Sequence, residues 1–154
     1  MPIIEKPGEL PARRGTIYPA PLNEGFDGRV KRALTGALGL TQFGVNLTTL
    51  EPGAKSSHRH WHTREDECIY VLTGELTLIL DDGEHRLTAG MAAGFPAGDT
   101  NAHHLINRSA EPATYLEIGT RSDDESATYA DVDLRARKQG GVYRFFHKDG
   151  TPYE

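Results

Sequence analysis

Two histidines one residue apart, His60 and His62, precede Glu67 and the run Cys68-Ile-Tyr-Val-Leu72, and this stretch constrains the chain more than any other. A divalent ion needs unprotonated imidazole nitrogens and a carboxylate that meet at one point. In a β-strand, side chains two apart project to the same face, so His60 and His62 can share an ion. In a helix the pair would lie about 200° apart at ~100° per residue, and one ring would point away. Pro52-Gly53 upstream and the β-branched and aromatic residues downstream also disfavour a helix. The stretch therefore reads as a strand, a short turn through Thr63 to Asp66, and a second strand that returns Glu67 to the histidines.

Alternation with a period of two extends outward from this point. From Thr41 it places Phe43, Val45 and Leu47 on one strand face, with Gln42, Asn46 and Thr48 on the other. Glu51-Pro-Gly53 ends that strand. Strands over 67–72 and 75–80 are joined through Thr73-Gly74 as a tight hairpin, and Asp81-Asp-Gly83 makes a second one before His85-Arg-Leu87. Gly90 to Gly98 reads as a bend, and 103–107 and 114–119 as two further strands around the loop Arg108 to Pro112. Short strands about 8–12 residues apart indicate a β-sandwich or barrel. The first ~38 residues hold five of the nine prolines and read as an irregular arm anchored by Ile17, Tyr18, Leu22 and Phe26, with Gly36 to Gly39 a loop. In the tail, Ser122-Asp-Asp-Glu125 reads as acidic and solvated, 131–139 as an exposed loop or weak helical turn, and Val142 to Phe146 as a last strand. The sum is one all-β domain over 1–154, its barrel at about 40–120, with flanking arms at 1–39 and 121–154.

The net charge of −5 comes without a basic run longer than two residues, which argues against a nucleic-acid or anionic-membrane partner. No apolar run approaches ~18 residues, and the N-terminus lacks the apolar core of a signal peptide, so the expected location is cytoplasmic. A lone cysteine excludes an internal disulfide.

Two stretches together resemble the paired motifs of the cupin superfamily. Gly53, His60, His62, Glu67 and Gly74 match the first motif, with six residues rather than five between Gly53 and His60. Gly90, Pro96, Gly98, His103 and Asn107 match the second, with four residues rather than two between Gly98 and His103. The His-x-x-x-Asn spacing selects His103 over His104. The resemblance implies a double-stranded β-helix, or jelly-roll barrel, and a mononuclear site of His60, His62, Glu67 and His103. It also implies one divalent ion (Mn, Fe, Ni or Zn). Three nitrogens and one oxygen with two open positions suit six-coordinate Mn(II) or Fe(II) better than a closed structural zinc site.

The resemblance further implies an enzyme on a small polar metabolite, of the isomerase, dioxygenase, decarboxylase or lyase type, or alternatively a non-catalytic ligand-binding or sensor barrel. Single-domain cupins that read Arg-His-Trp-His-x-Arg-Glu-Asp-Glu look most similar, and some carry a sugar-phosphate isomerase label. Against that substrate, the motif loops offer no phosphate cradle, and Arg59 and Arg64 are the basic residues expected near the site. Two arms and sheet edges imply a homodimer. The remaining residues receive plain structural readings: His58 at the site rim, His104, Arg59 and Trp61 facing away, and His85 and His147 on the surface. Cys68 and Tyr70 read as core, and Asn107 as holding a turn.

Overall fold

Side chains alternate between an inner and an outer face along thirteen strands of the computed structural model, which describes residues 2–154. The N-terminal part supplies β1 (Arg13–Arg14), β2 (Arg29–Ala33), the short helix α1 (Leu34–Leu38) and β3 (Phe43–Leu50). The middle supplies β4 (His60–His62), β5 (Glu67–Thr73), β6 (Glu75–Leu80), β7 (Gly83–Thr88), β8 (Ala92–Phe95), β9 (His104–Ile106) and β10 (Ala113–Thr120). The tail adds β11 (Glu125–Tyr129), β12 (Arg135–Gln139) and β13 (Val142–Phe146). They form a six-stranded sheet in the order β1-β2-β3-β10-β5-β8, faced by a four-stranded sheet β13-β12-β11-β4 and a three-stranded sheet β7-β6-β9. This is the jelly-roll architecture.

Several local expectations change. The arms are not appendages: β1 and β2 extend the large sheet by pairing with one another and with β3, and β11 pairs directly with β4. The segment 131–139 carries β12 rather than a loop or helical turn, Gly36 to Gly39 closes helix α1, and the bend at Gly90 to Gly98 contains β8, which pairs with β5. Nor is Thr73-Gly74 a hairpin. β5 lies between β10 and β8, and β6 lies between β7 and β9, so the chain changes sheets at this corner. Gly74 has φ +80°, and a Cβ there would stand 2.8 Å from Ala113 Cα and from Pro112 O. Only glycine supplies both the turn and the clearance. The Asp81-Asp82 hairpin between β6 and β7 forms as expected.

The main core joins Leu50, Ile69, Val71, Leu76, Leu78, Leu105 and Tyr115 between the sheets. On β3 the inner face is Gly44, Asn46, Thr48 and Leu50, so the more apolar Phe43, Val45 and Leu47 lie on the outer face, with Phe43 41% exposed. Tyr70 likewise faces outward at 42% exposure, and Cys68 is half-buried; neither is core. A second cluster of Ala127, Tyr129, Leu134 and Ala136 packs against Tyr18 and Leu22 of the N-terminal arm. Asn107, fully buried, donates through Nδ2 to Leu50 O and Glu111 O and accepts from Ser109 at Oδ1, tying the end of β9 to the loop before β10. Buried amide groups need such partners, so the turn-holding role follows from its bonds.

Candidate metal centre

Extended backbone through β4 puts His60 and His62 on one face, opposite Tyr129 and Ala127 of β11. His103 is fastened beside His60 by reciprocal backbone bonds, His60 N to His103 O at 3.1 Å and His103 N to His60 O at 2.9 Å. Glu67 enters from the first residue of β5. Three of the four expected ligands converge mutually, and His103 joins them through Glu67 alone: His60 Nε2 and His62 Nε2 are 3.1 Å apart, and Glu67 Oε2 lies 3.2 Å from His62 Nε2. That oxygen is also 3.0 Å from His103 Nε2 and 3.8 Å from His60 Nε2. Donor atoms about 2.1 Å from a shared ion and at right angles to one another stand roughly 3.0 Å apart. The spacing therefore suits an ion, and His60, His62 and Glu67 alone already form a group able to hold one.

The outer nitrogens agree with this use. His60 Nδ1 donates to His58 O at 2.8 Å, and His62 Nδ1 donates to Glu125 Oε1 at 3.3 Å. A hydrogen bond at Nδ1 leaves the Nε2 lone pair for a ligand, as in metal-binding histidines generally. His103 has a buried Nδ1 with no partner among the described residues, and its ring is oriented instead by Phe95, stacked at 3.6 Å between centroids.

Electrostatics point the same way. Burial alone would raise the Glu67 carboxyl, but hydrogen bonds from His103, His60 and His62 outweigh it and hold it well below the usual range. Burial opposes charge on His62, yet Glu125 and Glu67 outweigh it and raise its pKa to about 10. Burial lowers His103. Two carboxylates thus call for positive charge at this point, and a dication would meet that demand in place of the His62 proton.

Glu125 was not legible as part of the site, because it belongs to the acidic run expected to be solvated. It is fully buried and accepts from Thr63 N and Arg64 N as well as from His62. Glu65 was also missed. It accepts from Ser122 N at 2.9 Å and from Lys138 Nζ at 2.5 Å, with Tyr143 Oη at 3.5 Å. One ligand atom each of His62, Glu65 and Glu125 lies within 4.8 Å of the other two. Glu65 therefore sits beside the cluster.

The cluster opens onto a cavity of about 330 Å³ whose walls include Ile69, Phe95, Tyr115 and Tyr129. His58 turns away from this space: its Nε2 meets Leu22 O at 2.8 Å, and its ring packs on Tyr18 and Phe26, so it pins the arm. His104 Nδ1 lies 2.8 Å from Ser57 O, on the other side of its strand. Arg59 is held outward by Asp81 and Asp131, and Arg64 by Asp124, so neither expected basic residue lines the cavity. His85 and His147 pair with Asp82 and Asp133 near the surface.

Comparison with known proteins supports the architecture and names its family. The family profile described as a cupin domain matches residues 46–119. A structure from Silicibacter pomeroyi, described as a sugar phosphate isomerase from a cupin superfamily, is similar at 46% identity, with 96% of this chain and 94% of that chain covered and a TM-score of 0.91. One from Acidithiobacillus ferrooxidans, provisionally described as a sugar phosphate isomerase, is 28% identical over 96% of this chain and 91% of that chain, with a TM-score of 0.81. A polyketide cyclase from Streptomyces resistomycificus shares the fold at 22% identity over 74% of this chain and 75% of that chain, with a TM-score of 0.60. No curated protein sequence matches. The paired sheets, the two spaced motifs and the likeness along nearly the whole length agree: this chain belongs to the cupin superfamily.

Proposed function

We propose that this cupin is a metal-dependent enzyme acting on a small sugar-phosphate-like metabolite, with His60, His62, Glu67 and His103 as ligands to one divalent ion. The observation that carries this reading is the convergence of His60 Nε2, His62 Nε2 and Glu67 Oε2 within 3.1–3.8 Å of one another, with His103 Nε2 3.0 Å from the same oxygen, beside a cavity of about 330 Å³. The mixed nitrogen and oxygen donor set favours Mn(II) or Fe(II). The Silicibacter and Acidithiobacillus relatives, by their descriptions, support an isomerase over the oxygenase, decarboxylase and lyase alternatives.

A bound divalent ion would polarise a substrate carbonyl and stabilise the negative charge that develops when a proton leaves the adjacent carbon. The chain itself supplies the rest. Glu67 stays ionised because three imidazoles face it. Phe95, Ile69 and Tyr129 present apolar surface that limits water around the reacting atoms. Glu65, beside His62 and held between Lys138 and Tyr143, is the carboxylate placed to carry a proton between two substrate carbons.

Metal analysis of purified protein, followed by a screen of aldose and ketose phosphates for deuterium uptake from heavy water, tests the reading. The expected result is close to one ion per chain and exchange next to a carbonyl. Metal-free protein whose melting is unchanged by chelators would overturn it. Glu125→Ala is expected to weaken metal affinity about 10–100-fold, because His62 loses the group that orients it. Competition with a chromophoric chelator measures that, and an unchanged affinity would refute the orienting role.

We also propose a homodimer. The outer face of the large sheet carries Val45, Leu47, Leu116, Ile118 and Tyr70 in adjacent registers, with Phe43 and Leu72 exposed beside them. Contiguous apolar surface of this kind marks an interface. Light scattering should give twice the 16.9 kDa chain mass; a monomer at micromolar concentration would count against it.

A further inference from the structure

The cavity has a basic wall that no motif contains. Arg13, Arg29, Lys31, Arg121 and Lys138 all line it, and all five lie outside the family-matched segment 46–119. Lys31 is paired with Glu117 at 3.1 Å and Lys138 with Glu65 at 2.5 Å. Among the described residues, Arg13, Arg29 and Arg121 face no carboxylate at ion-pair distance. Arg29 makes one bond, Nη1 to Gly15 O at 2.9 Å, and its buried Nε has no partner. Unpaired guanidinium groups around one cavity, Arg121 at the Gly44 end of β3 and Arg29 on the strand beside its Leu50 end, repel one another unless an anion joins them.

Register places the wall relative to the metal centre. Gly44 of β3, Gly119 of β10 and Glu67 of β5 are cross-strand neighbours on the inner face. The Arg121 guanidinium lies over Gly44, with Nη2 only 3.2 Å from where a Cβ would stand, so the glycine leaves its seat. Two strand spacings separate Gly44 from Glu67, about 10 Å. That is the span of a short sugar chain with a terminal phosphate.

We infer that the cavity binds a phosphate monoester end-on, with its sugar end at the His60–His62–Glu67–His103 cluster and its phosphate on the basic wall, Arg121 being the principal contact and Arg13 and Arg29 adding to the field. Guanidinium is suited to the task because its fork meets two phosphate oxygens at once. The inference rests on the function proposed above, and it names the residues that would make the cavity select phosphorylated over plain sugars.

Calorimetric titration of the Mn(II)-loaded protein with glucose 6-phosphate, glucose and inorganic phosphate tests it. The phosphate ester should bind at least about tenfold more tightly than glucose. Arg121→Gln should remove about tenfold from the ester and from inorganic phosphate while leaving glucose binding and metal content unchanged. Arg121→Lys should recover part of the loss, and Arg86→Gln, at an exposed site on β7, should change nothing. Equal affinity for ester and glucose, or an Arg121→Gln protein that binds phosphate like the parent, would overturn the subsite. Metal content of the same samples keeps the two readings apart: ion present without phosphate selectivity sinks only the subsite, whereas absence of ion sinks the metal-dependent reading and leaves the inorganic phosphate arm to judge the wall.

Discussion

Glu67→Ala is expected to strip the protein of its ion, leaving less than about a tenth of an equivalent per chain after dialysis. Three of the four proposed ligands are neutral donors, so Glu67 is the single anion that offsets the ion's charge within the ligand set. It is reached by all three Nε2 atoms at 3.0–3.8 Å, and no other carboxylate touches all of them. Its loss also acts on the metal-free fold, because Glu67 is one of two carboxylates that offset charge on His62. Breaking a buried charge pair by removing one partner is costly, and here roughly 2–4 kcal/mol is expected, since His62 can shed its proton and Glu125 remains. In a chain of this size that is about 5–15 °C in Tm. Plasma emission analysis and calorimetry measure both effects. A Glu67→Ala protein that retains a full ion would show that the ligand set is wrong.

Glu65→Gln is expected to lower turnover by about 10²–10⁴-fold while the metal stays bound. The amide preserves shape and can still accept from Ser122 N, but it cannot take up a proton. Glu65 is the carboxylate proposed for that work because it stands beside His62, although Lys138 and Ser122 N bond to it, whereas Glu67 is enclosed by histidines. Lys138 and the Tyr143 hydroxyl contact it on either side and hold it in place. Turnover is followed by deuterium exchange on whichever sugar phosphate responds, with Glu65→Asp as the variant that keeps a carboxylate and should keep more of the rate. Full activity in Glu65→Gln would assign the proton transfer elsewhere.

The centre was readable where chemistry and backbone period coincide. His60 and His62 can share a point only on a strand, and Glu67 follows at a distance that one turn can close. Glu125 and Glu65 escaped because what identifies them is pairing between distant strands. Ser122-Asp-Asp-Glu125 looks like solvated surface until β11 is known to lie beside β4, which carries the last of the four acidic and polar residues to His62. Thr73-Gly74 has the composition of a hairpin, yet it is a corner, since β5 prefers β10 and β8 as neighbours. Tyr70 and Leu72 have the look of core residues and lie outside, because both faces of the large sheet are apolar in part. The proline-rich arm hides β2 for the same reason: nothing within Arg29–Ala33 announces that β3 offers it an edge.

Glu67, His60 and His62 belong to one continuous segment, whereas the basic wall is recruited from both ends of the polypeptide and folded back against it. Exchanging the two ends between related proteins would alter the anion-reading residues and, through Glu125, Lys138 and Tyr143, the groups that hold His62 and Glu65 as well.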